Sequence, residues 1–317
     1  MTWAQGGLIQ STDYNTMVGG NPTTTANTLN AVWATGGTKN GYGQTALANV
    51  AVGGTVGATE WANLTGRTAN CGTHQGSSLS SVITPVVPGS VIYQANIQTN
   101  LNTVYSNKLN AASQGTTASN TATYGSTWVN AITFVHTATF ANGDAARYFF
   151  NSGGQLAITC SHPGASGVDL LLHDLAANIG TIVMSAPTSE TITVVGTSYT
   201  GIKKVGGGGT APSVLATTSG YFAQTVANAN VFLQTASTGP AAYLGTFINI
   251  LTKSNGTQGT NGDAGSVITI YTVWDEIPNG LTAAIGSATT LTVRPPETTN
   301  LANTWGTVTL AGSVSGS

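Results

Sequence analysis

The stretch from Ile132 to Cys160, ITFVHTATFANGDAARYFFNSGGQLAITC, constrains the fold more than any other part of the chain. Two runs in it, Ile132–Phe140 and Leu156–Cys160, alternate apolar and polar residues with the period of a half-buried strand. Between them lies one short, strongly aromatic turn of helix. Asp144 stands where it can cap that helix, Tyr148, Phe149 and Phe150 supply an apolar anchor, and Gly153-Gly154 stop it. A strand, a plug and a strand in so few residues predict two layers of sheet with the aromatic turn packed between them.

The rest of the carboxy-terminal half is built the same way. Strand-like runs recur at Trp128–Phe140, Leu156–Cys160, Ile182–Met184, Thr191–Val195, Tyr221–Thr225, Val231–Thr235, Tyr243–Leu251, Val267–Trp274, Leu291–Val293 and Thr307–Leu310, broken by Gly, Pro, Asn and Ser clusters. One helix interrupts them. In VDLLLHDLAANIG, Asp169 starts it, Leu171, Leu172, Leu175 and Ile179 form its apolar stripe, and Gly180 ends it. The expected fold is therefore mainly β: an antiparallel β-sandwich-like domain over residues 120–317, with one packed helix. The chain's end, TWGTVTLAGSVSGS, alternates almost to its last residue, which suggests an edge strand open to addition of a strand from a neighbour.

Residues 1–112 read differently, as an irregular and helical attachment region. LIQSTDYNTMV carries Ser11 or Thr12 as a cap, then Asp13 and Tyr14; GATEWANLTGRT repeats the idea with Thr59, Glu60 and Trp61, which hints at an internal duplication. NAVWATGGTKNGYGQTAL, with Trp33 and Tyr42, predicts an aromatic-pinned loop, and Val82–Gly89 an extended connector. In SVIYQANIQTNLNTVYSNKLNAASQ, Ile92, Ile97, Leu101, Val104, Tyr105 and Leu109 recur at helical spacing, which predicts the longest helix of the chain. Its other face is Gln, Asn, Thr and Ser, a composition suited to contact with protein on both sides.

Only 6% of the 317 residues are charged and the net charge is −2, against about 25% charged in an average domain. Thr, Ser, Asn, Ala and Gly fill the gap. A surface of that kind lacks the repulsion that keeps free domains apart, which favours close contact with copies of itself. Eight Lys and Arg, of which only Lys203-Lys204 are adjacent, form no basic patch, so no nucleic-acid partner is expected. No apolar run approaches 18 residues, so no membrane span is expected. The opening residues show no leader pattern. Cys71 and Cys160, far apart in sequence, leave a disulfide open, but two free, partly buried thiols are the favoured reading for a protein made in a reducing cytoplasm.

The chain carries few patterns of reactive chemistry. His74, His136, His162 and His173 show no HxH or HExxH spacing and neither Cys has a CxxC partner, so no metal site is expected. No GxSxG elbow surrounds Ser152, Ser161 or Ser185. Asp275-Glu276 is the one adjacent acid pair; neighbours on a strand face opposite ways, and Pro278 and Gly280 suggest a turn. Asp263 sits in a loop lacking the spaced acids of a calcium site, and Gly206–Gly209 lacks the GK[ST] of a phosphate loop. No catalytic residue and no cofactor are expected. The assembly anchors that remain are aromatic: Tyr14, Trp33, Trp61, Tyr148, Phe149, Phe150 and Trp274.

As a set, LIQSTDYN, NGYGQTAL, CGTHQG, ARYFFNSGGQLAI and YTVWDEIP resemble segments of virion structural proteins of tailed bacteriophages, those of cyanophages and related aquatic phages in particular. The loop CSHPGASG departs from that pattern. The resemblance implies a non-enzymatic component of a virion, made in the host cytoplasm: a tail or neck fibre or appendage subunit that docks through residues 1–112 onto other virion proteins and self-associates, with a trimer favoured. A capsid decoration protein and a module binding host surface glycan are the alternatives. On this reading residues 120–317 project, and deleting residues 1–112 leaves a soluble domain.

Overall fold

The computed structural model describes residues 10–19, 27–80, 87, 92, 94–164, 166–187, 189–208, 213–215, 220–236, 243–258, 264–276 and 281–316. The connector predicted at 82–89 (save Val87), Asp263, Pro278 and Gly280 lie outside them.

The fold is mainly β. One antiparallel sheet runs β1 (Ala118–Thr123), β12 (Ala288–Arg294), β3 (Gln155–Ser161), β4 (Thr181–Met184), β7 (Ile202–Val205). The other runs β13 (Thr309–Gly316), β2 (Ala131–Thr139), β11 (Val267–Asp275), β10 (Phe247–Ser254), β9 (Ala229–Thr235), β8 (Ser213–Leu215). A small hairpin pairs β5 (Ile192–Val194) with β6 (Thr197–Tyr199). Pairing is nested: β1 lies on β12 and β2 on β11, so the start of the sheet region is zipped to its end. The strict alternation of β10 and β11 sends Ile248, Ile250, Ile268, Ile270 and Trp274 inward, where they meet Leu156, Ile158, Ile182 and Met184 of the facing sheet. Burial of one complete side chain of this kind contributes about 1.5–3 kcal/mol.

Helix α6 (Gly167–Ile179) packs on β3, β9 and β10. Its buried stripe is Val168, Leu172, Leu175, Ala176 and Ile179; Leu171, placed in that stripe by periodicity, is only half-buried. Tyr221–Ala223 is a 3-10 turn and not a strand, because the backbone NH groups of Tyr221 and Phe222 turn back to Ser185 O and Ala186 O. Trp128 makes a single bridge to Ala283 ahead of β2. β13 runs to Gly316, well past the Thr307–Leu310 run. Strands β1, β6, β7 and β8 carried too little apolar alternation to be read.

The amino-terminal part has α1 (Ser11–Val18), α2 (Leu29–Trp33), α3 (Ala58–Gln75) and α4 (Gln94–Ser106) around a second core of Tyr14, Leu29, Val32, Trp61, Leu64 and Leu101, among others. Among the described residues the longest helix is α3, at 18 residues, and not α4, at 13. Gly66 and Gly72 disguise α3 in the sequence: both are poor helix formers, but packing outweighs that preference. A Cβ at Gly72 would stand 2.3 Å from Leu79 Cδ1, so the glycine makes room for the chain returning over the helix. The caps also lie one or two residues earlier than expected. Gln10 precedes α1 and Gly57 precedes α3; their backbone NH groups are bound by Asp13 and Glu60, both at 2.9 Å. An acid at the third helical position reaches back to the free NH, so Ser11, Thr12 and Thr59 need not cap.

The loops of this part are held by amide side chains that imitate a strand. Asn15 donates to Val50 O and accepts from Val50 NH, both at 2.9 Å. Asn30 does the same with Leu47, both at 2.9 Å, and Gln44 with Ala302, at 2.8 and 3.0 Å. The last pair ties the first part to the end of the chain, where Leu301 joins the second core. In the apparent duplication, Tyr14 and Trp61 meet edge-on at 5.6 Å, whereas the matched Asn15 and Asn63 part company, the second being exposed.

Candidate functional site

Helix α5 (Gly143–Asn151) sits where the two parts of the chain meet. Its cap is Asn142, whose side-chain oxygen accepts from Ala145 NH at 2.8 Å; Asp144 does not cap but receives Arg147 at 3.1 Å. The apolar face is the predicted plug. Phe149 and Phe150 are fully buried, 5.2 and 6.0 Å from Phe140, and Phe150 stacks on Tyr221 at 4.3 Å. The other face is polar, which the aromatic run in the sequence conceals. Arg147, fully buried, donates to Asn40 O at 2.7 Å and Thr35 O at 2.8 Å. Asn151 Nδ2 donates to Asn40 O at 3.1 Å and Gly41 O at 3.0 Å. Tyr148 lies against Gly43, where φ is +73° and an added Cβ would stand 2.5 Å from the ring. The plug is thus also a clamp on the loop 35–43.

A second polar contact crosses the same seam. The His74 ring has Glu297 Oε1 3.2 Å from Nδ1 and Ser152 O 3.1 Å from Nε2. Both neighbours are acceptors, so only a doubly protonated ring donates to both, although Glu297 also has Asn300 and Thr299 as donors. Burial pulls the other way and lowers the His74 pKa, opposed by Glu297 and the Ser152 carbonyl. Burial alone would raise Glu297, but hydrogen bonds from Asn300, His74 and Thr299 outweigh it and bring the carboxyl down to about 2.

All the anchors picked out in the sequence point inward. Tyr14, Trp61, Phe149, Phe150 and Trp274 are at most 1% exposed. Trp33 is 8% exposed and donates to Thr45 O at 2.9 Å; Tyr148 is half-buried. They divide between the two cores, Tyr14, Trp33 and Trp61 in the first, Phe149, Phe150 and Trp274 in the second with Tyr148 packed against it. None of the seven forms an outer surface. Cys71 and Cys160 are free thiols whose pKa values burial raises, that of Cys160 to about 12, so neither is a nucleophile at neutral pH.

The tertiary fold also gathers residues that the sequence scatters. Ser287 Oγ lies 2.9 Å from His162 Nδ1, and His162 Nε2 lies 3.1 Å from Asp169 Oδ1. Trp128 Nε1 donates to Ser287 Oγ at 3.1 Å, and Ala284 NH to Asp169 Oδ1 at 2.7 Å. The residue types are those of a hydrolytic triad but the order is reversed: the hydroxyl is sealed inside and the acid faces the outside. A nucleophile must meet its substrate, and this one is shut in by Trp128. The arrangement ties the segment before α6 to the segment before β12. No local signal around Ser287 could have revealed it.

Nearby, Asp275 and Glu276 are not a turn. Asp275 ends β11 and is partly exposed, while Glu276 is fully buried, as opposite faces of a strand require. Among the described residues no group of three or more His, Cys, Asp or Glu stands where it could hold a metal ion, and no helix is long and apolar enough to cross a membrane.

The outer flank of the sandwich is the remaining feature. β13 pairs with β2 from Thr309↔Thr139 to Gly316↔Ile132 and has no strand on its other side among the described residues. Six of its eight residues are exposed, it carries no charge and no Pro, and only Leu310 and Val314 turn toward the core. β1, the edge of the facing sheet, lies beside it: a Cβ at Gly312 would stand 2.3 Å from Asn120 Oδ1, and Tyr124 OH donates to Gly316 O at 3.2 Å. Helix α4 likewise leaves Thr99, Asn102 and Ser106 exposed, none of them charged. No protein-family model matches the chain, and no curated protein and no solved structure matches it.

Proposed function

We propose that this chain is a non-enzymatic structural subunit of a bacteriophage virion, a tail or neck fibre or appendage piece that associates with copies of itself. The observation that carries the reading is the β13 edge. Natural sheets protect such edges with Lys, Pro, bulges or covering loops. Here eight uncharged residues stand unprotected beside a second neutral edge, β1. A strand so little buried on either face gains most by pairing with another chain. The two antiparallel sheets support the reading only as an analogy of architecture, because double-sheet β folds recur in viral capsids and lectins. The phage-like segments add the virion context, docking onto other virion proteins and the preference for a trimer. The glycan-binding alternative finds no platform among the described tryptophans, because Trp33, Trp61, Trp128, Trp274 and Trp305 are all buried.

Light scattering on the purified chain tests self-association. The expected result is a concentration-dependent oligomer that Ala311→Lys combined with Ser313→Lys returns to monomer, with unchanged far-UV dichroism. A chain that stays monomeric at high concentration sinks the assembly reading. Labelling of virions with an antibody to the chain tests the context; its absence from every particle would remove the phage assignment.

A further inference from the structure

Glu276 is fully buried one residue beyond β11, and neither of its carboxyl oxygens has a hydrogen-bond partner. The β10–β11 ladder ends at Phe247↔Asp275, so the next step sets Thr246 opposite Glu276. The Thr246 hydroxyl is buried and unpartnered, as is Trp274 Nε1, two residues back along the chain. Three orphaned polar groups in one corner of a close-packed interior require an explanation.

The titratable groups around this corner come from three elements. Asp275 is on the same strand; Asp169 and His173 are on α6; His162 is on the segment entering α6, its ring 6.3 Å from Trp274. His162 is bonded to Asp169, and His173 Nδ1 to His162 O at 2.8 Å. The charges that act on Glu276 are Asp169 and Asp275, both negative. Burial first, then these two acids, raise its carboxyl to about 7.

We propose that Glu276 is a protonation latch: as a neutral acid it keeps the α6 end of the sandwich closed, and loss of its proton to solvent opens that end. A carboxylate in this corner is held out of water and repelled by two acids, Asp169 and Asp275. The described contacts that hold this end are Glu276 NH on Asn130 O, at 2.8 Å, and Ala284 NH on Asp169 Oδ1, at 2.7 Å. The sign follows from the raised carboxyl. Its favourable contribution is complete below about 4.5, the ordinary carboxyl value, and is lost as pH rises through about 7. The corner is closed in mild acid and opens in mild alkali, whether or not the chain belongs to a virion.

The test is tryptophan emission of the full chain from pH 5 to 9, with hydrogen exchange at the Ala284 and Glu276 amides. The wild type is expected to show one reversible transition near pH 7 with faster exchange above it. Glu276→Gln is expected to abolish the transition, and Asp275→Asn, which removes one repelling charge, to move it to lower pH. A transition that persists unchanged in Glu276→Gln does not arise from this carboxyl and overturns the proposal. Should Glu276→Gln fail to fold, a carbon-13 titration of the wild-type carboxyl decides. A midpoint near 7 coupled to faster exchange supports the latch, and a midpoint near 4.5 ends it.

Discussion

Replacing Arg147 by Met keeps the length and most of the apolar stem of the side chain while deleting its clamp on the amino-terminal loop. Thr35 O at 2.8 Å, Asn40 O at 2.7 Å and the Asp144 carboxylate at 3.1 Å lose a donor, and the Tyr148 ring loses the guanidinium 4.7 Å from its centre. Asn40 O keeps Asn151 as a donor at 3.1 Å, and Asp144 is partly solvated, with 30% of its side chain exposed. Thr35 O loses its guanidinium donor. Hydrogen bonds to charged groups contribute about 1.5–3 kcal/mol each, so the two backbone contacts amount to about 3–6 kcal/mol. Releasing a fully buried cation from its desolvation cost returns part of that. The expected net loss is about 3 kcal/mol. Denaturant unfolding at pH 7 reads it as a lower midpoint with unchanged slope, and hydrogen exchange should quicken in residues 35–43 but not in β2 or β11. Arg147→Lys should lose about half as much, since one ammonium cannot span both carbonyls and the acid in the fork geometry. An Arg147→Met protein with wild-type midpoint and wild-type exchange in the loop would refute the clamp. Deletion of residues 1–112, for which the sequence suggested a soluble remainder, breaks the same contacts from the other side. It removes the loop carbonyls of Thr35, Thr38, Asn40 and Gly41 held by Arg147 and Asn151, as well as His74 beside Glu297, and uncovers a charged, formerly buried face. Residues 113–317 alone are expected to aggregate, which a soluble-yield measurement checks.

The lowered carboxyl of Glu297 adds stability that is present above about 4.5 and lost as pH falls through about 2. That shift corresponds to about 3 kcal/mol, of which solvent near the seam screens part, so Glu297→Gln should cost about 2 kcal/mol at pH 7 and flatten the acid limb of a stability–pH profile. Thr252 is buried with an unpartnered hydroxyl beside an apolar cavity of about 10 Å³, lined by Leu156, Ile182, Met184, Val231 and Ile250 among others. The cavity offers a water too few polar partners, so Thr252→Val should raise stability by about 1 kcal/mol and the melting temperature by about 2–4 °C, as calorimetry would read.

Where the sequence was legible, a period or a stop signal made it so. β2, β10 and β11 alternate regularly, β3 showed as a short apolar run that is buried on both faces, and α6 announced itself by its leucines and Gly180. The misreadings have physical causes. α3 hid behind Gly66 and Gly72, whose weak local preference was outvoted by burial of Trp61, Leu64 and Cys71. The caps were assigned to hydroxyls because that rule is local, while the acids Asp13 and Glu60 act across a turn. Amide side chains suggest surface, yet Asn15, Asn30 and Gln44 are internal scaffolding. Part of the low charge is therefore explained within one chain, which leaves the β13 edge and the exposed face of α4 as the places where neutrality still points outward.

The sequence by itself determined the class of fold, the aromatic interior and the low repulsion of the exterior, because alternation, ring burial and charge content act on each residue through its immediate neighbours. Only the tertiary structure decided which distant groups meet: Arg147 with Thr35, His74 with Glu297, Ser287 with His162, and Glu276 with no partner of its own. Those pairings depend on nested ladders that bring residues more than a hundred positions apart into one corner, and no local pattern records where such a ladder closes.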